Sequence, residues 1–177
     1  TPDAWDAVQY QPQQWPANYA AFFTEDAQNP GYAESVSILS YMHYSEVAPF
    51  EHIINRTGHE QDRGDAYAAF KEIRAELLLD KLYQRIPELK GNIVAQSTAT
   101  PLTYRDYTAT PKGSLYGILK DINKPAETSI ATRTKIPNLL LTGQNVNLHG
   151  VLGVSITSIA TCAELVGMEY LLGRVKG

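Results

Sequence analysis

The residues best suited to chemistry lie near the C-terminal end, in the stretch IPNLLLTGQNVNLHGVLGVSITSIATCAELVGMEYLLG from Ile136 to Gly173. Asn138 to Thr142 is a short, mostly apolar run bounded by Pro137 and Gly143, the pattern of a buried strand. The polar residues Gln144, Asn145 and Asn147 follow, and then His149, Gly150, Val151, Leu152 and Gly153. Small and apolar residues predominate from there, without a breaker, to Val166. A strand, a glycine-bearing turn and a small-residue helix aim free backbone N–H groups and a positive dipole end at whatever lies over the turn. Glycine lets such a ligand come close to the backbone. The spacing Gly150-x-x-Gly153 does not spell GxGxxG, and a tight strand-to-helix turn without a ligand satisfies it about as well. His149 fits a hydrogen-bonding residue at a helix start better than a general acid.

Other chemistries find less support. The four histidines, His43, His52, His59 and His149, form no HExxH-type pair, so no metal site is expected. No GxSxG elbow and no P-loop occur. The single cysteine, Cys162, excludes an intrachain disulfide and a cysteine-based metal cluster, and its neighbours Ala160, Thr161 and Ala163 suggest a small buried helix residue. A net charge of −4 and the lack of a basic stripe argue against a nucleic-acid partner. The apolar content of 44% and charged content of 19% are those of an ordinary globular chain. Eleven tyrosines are many for 177 residues and suit a cavity or interface lining. No signal peptide is visible, and no segment reads as a transmembrane helix, since Val151 to Val166 is too short and carries polar residues.

The elements that must position the turn are read in order. Residues 1–16 form a polar arm with Trp5 and Trp15 as anchors, and Tyr19 to Thr24 is a candidate strand. Ser35 to Tyr44 alternates as a two-faced strand, from which Tyr41, Met42 and Tyr44 could line a cavity or pack in a core. Ser45 to Phe50 suits a helical turn and His52 to Asp62 a loop. Gly64 to Ile86 is the clearest helix, with Asp65 as N-cap, an apolar row through Tyr67, Phe70, Ile73, Leu77, Leu78, Leu82 and Ile86, and Pro87 as its stop. Ile93 to Thr98 reads as a strand. Thr100 and Pro101 open a short helix through Tyr107. Gly113 and Gly117 then flank Tyr116 in a glycine-bounded aromatic turn, and 118–135 is a mixed exposed segment.

Three ordered stretches resemble one family: RGDAYAAFK with the following IPELKGNI, TPLTYRDYTATPKGSLYG, and IPNLLLTGQNVNLHGVLG. Together they are similar to the C-terminal half of the FAD-dependent phytoene desaturase and retinol saturase group, which includes carotenoid isomerases. The TGQ at Thr142 to Gln144 and the TPLT…Y…G..YG pattern lie nearer the retinol saturase branch. The resemblance implies a mixed α+β fold in which residues 36–135 belong to a substrate-domain sheet with helices. Residues 136–177 would be the returning strand, turn and helix that complete an FAD domain, and residues 1–35 an irregular arm with a strand. It also implies FAD as cofactor, with Gly143 and Gln144 near its ribityl and phosphate region. His149, Gly150, Val151, Leu152 and Gly153 would face the flavin pyrimidine edge, where a helix N-terminus stabilises negative charge. Related flavoproteins carry an acidic residue near the position of Gln144 and Asn145; here amides stand there.

No N-terminal Rossmann fingerprint is present. The expectation is therefore a C-terminal fragment of a longer oxidoreductase that saturates, desaturates or isomerises an apolar polyene. Its partner would be the N-terminal FAD-binding half. Alone it is expected to be inactive and, through exposed apolar surface, to self-associate. The catalytic residues are unknown from the sequence. The expected location is cytoplasmic, with a peripheral membrane contact left open because polyenes dissolve in lipid. The alternative is a non-enzymatic binding or interaction module derived from the substrate domain.

Overall fold

The computed structural model describes residues 9–175, so Trp5 lies outside the described residues. The chain packs as two compact units, one ending at Ser114 and the other starting at Leu115.

The first unit begins with an antiparallel ribbon. Strands β1 (Ala20–Glu25) and β2 (Ala33–Leu39) pair with Ala20 opposite Leu39 and Phe23 opposite Val36, and a bulge falls between Thr24 and Glu25. The connecting loop is held by Asp26, whose carboxylate accepts from the Gln28 N–H at 2.8 Å, and by Gly31 at φ 92°. β2 ends earlier than its alternation suggests, because Ser40 to His43 leave the ladder and run into helix α1 (Tyr44–Val47) and a 3₁₀ turn, Ala48–Phe50. Trp15 anchors the arm as expected: it is buried and its Nε1 donates to the Tyr41 carbonyl at 2.7 Å.

Helix α2 (Asp65–Arg85) has the expected extent, and Pro87 opens the 3₁₀ turn that follows. Its N-cap is Gly64 at φ 86°, not Asp65, which is the first helical residue. The left-handed backbone there suits glycine, and Asp65 contributes through its charge in the first turn. Val47, Tyr67 and Leu102 form the buried core cluster, with Met42, Tyr44, Phe50 and Phe70 packed against it. Ile73 and Leu77 of the apolar row stay exposed. The strand expected at Ile93 to Thr98 does not form; the segment takes no regular secondary structure and Val94 is fully exposed. A strand needs a neighbour that accepts its N–H and C=O groups.

Helix α3 (Pro101–Thr108) starts as its sequence dictates. Thr100 Oγ1 accepts from the Leu102 N–H at 3.2 Å, and Thr103 Oγ1 accepts from the Thr100 N–H at 3.1 Å. Tyr67 Oη also meets Thr100 Oγ1 at 2.8 Å in the core. Thr100→Ala removes the cap and strands the buried phenol. The expected loss is about 2–3 kcal/mol in urea denaturation, with most of it restored by Thr100→Ser.

In the second unit, α4 (Pro125–Thr128) is a single turn. The strand expected at Asn138 to Thr142 is instead one arm of a small hairpin, joined by a single bridge between Arg133 and Leu140. Pro137 and Asn138 make the reversal, with Asn138 left-handed at φ 63°. The run is not buried: Leu139 and Leu141 are exposed. Helix α5 (Gly150–Val166) follows, and α6 (Met168–Val175) packs on it after Gly167. Cys162 is exposed, contrary to expectation. Only a narrow stripe of α5 is buried, through Gly153 and Thr157, while Val151, Leu152, Leu165 and Val166 remain exposed. A helix this apolar on every side normally has neighbours on every side.

Candidate functional site

The turn from Gly143 to Gly153 gathers every residue proposed for cofactor contact, and each stands in a distinct local environment. Gly143 (φ 97°) and Gly150 (φ 76°) occupy left-handed backbone, and a Cβ at either would meet no atom within 4 Å. Both face open space. Gly153 differs: a Cβ there would lie 2.6 Å from Leu148 Cβ and 2.8 Å from its carbonyl carbon. It is a packing glycine, and Gly150 is a conformational one.

His149 is the N-cap of α5, yet its side chain makes no capping hydrogen bond. The opening N–H groups of α5, on Gly150, Val151 and Leu152, have no intrahelical partner by helix geometry. The imidazole instead lies against Tyr116, with ring centroids 4.6 Å apart and planes tilted by 42°. Val146, midway along the turn, is buried, and its N–H donates to the Gly143 carbonyl at 3.1 Å.

Farther along α5, the hydroxyls are satisfied within the helix. Thr157 Oγ1 donates to the Gly153 carbonyl at 2.8 Å, and Ser155, Ser158 and Thr161 bond back in the same way. Arg133 fastens the hairpin to the helix end, its guanidinium bonding the Glu164 carboxylate at 3.0 Å and the Glu164 carbonyl at 2.7 Å. The turn is thus carried on a helix with a fixed back face.

Sequence reasoning missed the residues that hold this turn from behind. Gly117 backs onto Gln144 so closely that a Cβ would stand 2.8 Å from the Gln144 carbonyl carbon and 3.1 Å from Asn145 Cα. Lys120 Nζ donates to the Val146 carbonyl at 3.0 Å and to the Thr128 carbonyl at 3.0 Å. The glycine-flanked tyrosine was the available signal, but nothing local says that it meets a turn about thirty residues away. An open groove of about 540 Å³, bordered by Lys120, Asp121, Thr128, Val146, Asn147 and Leu148, adjoins the same turn.

Two of the other candidates pack in the first unit. Met42 and Tyr44 lie against the core of the first unit, and the Tyr44 hydroxyl donates to Glu51 at 2.7 Å and accepts from Arg105 at 3.3 Å. Burial raises the Tyr44 pKa, and the Glu51 carboxylate adds to the rise. Among the described residues no group of His, Cys, Asp or Glu could hold a metal ion, and no helix is long and apolar enough to cross a membrane.

A free helix start, two open glycines and amide side chains form a donor-rich surface suited to an electron-rich ligand. The chain is similar to all-trans-retinol 13,14-reductases. The human protein is 32% identical over 117 residues, which is 64% of this chain and 19% of that protein. The zebrafish (Danio rerio) protein is 29% identical over 109 residues, 60% of this chain and 18% of that protein. The rat protein is 32% identical over 94 residues. The chain therefore matches about a fifth of the length of the human and zebrafish relatives. No protein-family model matches the chain, and no solved structure does.

Proposed function

We propose that this chain is the C-terminal part of an FAD-dependent oxidoreductase acting on a retinoid-like or carotenoid-like polyene. The observation that carries the reading is the similarity to all-trans-retinol 13,14-reductases over 64% of the chain; the open helix start at the terminal turn supports it with backbone donors. The fit is chemical. Gly143 and Gly150 leave room for a flat, electron-rich group, and the N–H groups that open α5 donate to it. Gln144 supplies an amide for a ribityl hydroxyl, and His149 sits at the rim with its ring held by Tyr116. Flavin, when bound, would supply the two-electron chemistry on the polyene. The chain's own part is to bind the flavin edge, orient it and exclude water from it.

The N-terminal, nucleotide-binding half of the parent protein is the proposed partner. The exposed apolar sides of α5 support this, since Val151 is 89% and Leu152 75% exposed. Without that cover, these 177 residues are expected to bind FAD weakly, to be catalytically inert and to self-associate. The full-length protein is expected to purify with FAD and to convert a retinoid or carotenoid polyene, read by flavin absorbance and product chromatography. Tight stoichiometric FAD binding by the 177 residues alone would overturn the half-site reading. A full-length protein devoid of flavin would overturn the cofactor assignment.

A further inference from the structure

The terminal turn is gripped from one side by a short stretch of chain. Within the five residues Tyr116 to Lys120, a ring, a glycine and an ammonium group meet the turn at separate points. Tyr116 touches His149 at its far end, ring to ring at 4.6 Å. Gly117 touches Gln144 at its near end, close enough to exclude any side chain. Lys120 bonds the carbonyl of Val146 between them at 3.0 Å. The same ammonium bonds the Thr128 carbonyl, so the stretch is itself anchored at the end of α4.

We infer that Tyr116 to Lys120 is a strap that preorganises the cofactor turn, with Tyr116 and Lys120 as positioning residues for His149 and the start of α5. The inference rests on the flavin reading of that turn. The six-residue loop from Gln144 through His149, with two left-handed glycines at its borders, has many accessible conformations when free. Contacts at both ends and the middle remove them before the ligand arrives, so the ordering cost is not charged to binding. The strap reaches the turn without occupying the open space above Gly143 and Gly150. Its residues act through the turn.

Tyr116 is 45% exposed and Lys120 is exposed, so their truncation leaves the buried residues in place. The experiment uses the full-length protein, with and without FAD. In the flavin-free protein, Tyr116→Ala and Lys120→Met are expected to speed amide exchange at Gly150, Val151 and Leu152 while the amides of α2 stay protected. FAD affinity is expected to fall by about tenfold for each. The flavin midpoint potential is expected to shift, since a loosened helix start stabilises the reduced cofactor less. Tyr116→Phe keeps the ring against His149 and is expected to lie nearer wild type than Tyr116→Ala in both exchange and affinity. Wild-type exchange, affinity and potential in both truncations would overturn the strap while leaving the flavin site standing. A wild-type protein that binds no FAD would overturn the cofactor reading and the strap's role with it.

Discussion

Replacing Asp106 by alanine is expected to destabilise the first unit by about 3–5 kcal/mol, the range for removing one partner of a buried ion pair. The Asp106 side chain is fully buried, and Arg63, itself only 7% exposed, bonds it directly. Arg105 bonds the other carboxylate oxygen at 2.7 Å, and the Asn55 N–H donates to the carboxylate at 2.7 Å. Both arginines also reach out: Arg105 to the Glu51 carbonyl at 2.9 Å and the Ile53 carbonyl at 2.5 Å, and Arg63 to the Ile53 carbonyl at 3.2 Å. One carboxylate therefore ties the loop around Ile53 to α3 and to the approach to α2. Without it the buried Arg63 and the largely buried Arg105 lose the carboxylate that both of them pair with.

The same site sets an acid limit. Burial alone would raise the Asp106 pKa, but the Asn55 N–H and the two guanidinium groups outweigh it and hold the carboxyl below its usual range. A carboxyl with a lowered folded pKa contributes stability above its unfolded pKa and loses it as pH falls through the folded value. The wild-type chain is thus expected to lose stability below about pH 4, and Asp106→Ala to lose that part of the dependence. Urea titrations followed by tryptophan fluorescence, to which the buried Trp15 of this unit contributes, read both effects. An Asp106→Ala chain within about 1 kcal/mol of wild type would overturn the account. Asp106→Leu combined with Arg63→Met is expected to cost less than Asp106→Ala, because it removes unpaired charge as well as the pair.

Gly150→Val is expected to abolish most FAD binding by the full-length protein, by about a hundredfold or more, while costing the flavin-free protein only about 1–2 kcal/mol. The stability cost is the strain of a branched residue at φ 76°, since a Cβ there meets nothing in the fold. The binding loss comes from a side chain standing in the open space above the first N–H groups of α5 and tilting them away. Gly153→Val should invert the pattern. Its side chain would strike Leu148, so folding suffers first, by about 1–3 kcal/mol or more, and flavin loss follows from a displaced turn. Calorimetric unfolding of the flavin-free proteins beside FAD titration separates the two. Equal FAD affinity in wild type and Gly150→Val would remove this turn from the cofactor site.

These glycines also mark where sequence reading succeeds and stops. The motif at His149 to Gly153 was legible as a helix start, and α5 begins there. Nothing in the spacing told a glycine facing space from one packed on Leu148, because that depends on how the preceding loop folds back. Helix α3 was legible to the residue at its start, since Thr100 and Pro101 act within one turn of chain. The two strands failed for a different reason. Ile93 to Thr98 and Asn138 to Thr142 have strand composition, but a strand exists only with a ladder partner. The described chain offers the second segment one bridge and the first none.

By itself the sequence determined the local features: where α2, α3 and α5 run, that a glycine-bearing turn precedes an apolar helix, and that one cysteine can form no disulfide within the chain. Those depend on caps, breakers and periodicity, which act over a few residues. Tertiary structure alone decided that Tyr116, Gly117 and Lys120 brace the turn, that Arg63 and Arg105 enclose Asp106, and that Cys162 and most of α5 face outward. Each of these joins residues far apart in the chain, or depends on which surfaces find a neighbour. Such pairings are set by packing over the whole unit, and no short window of sequence carries them.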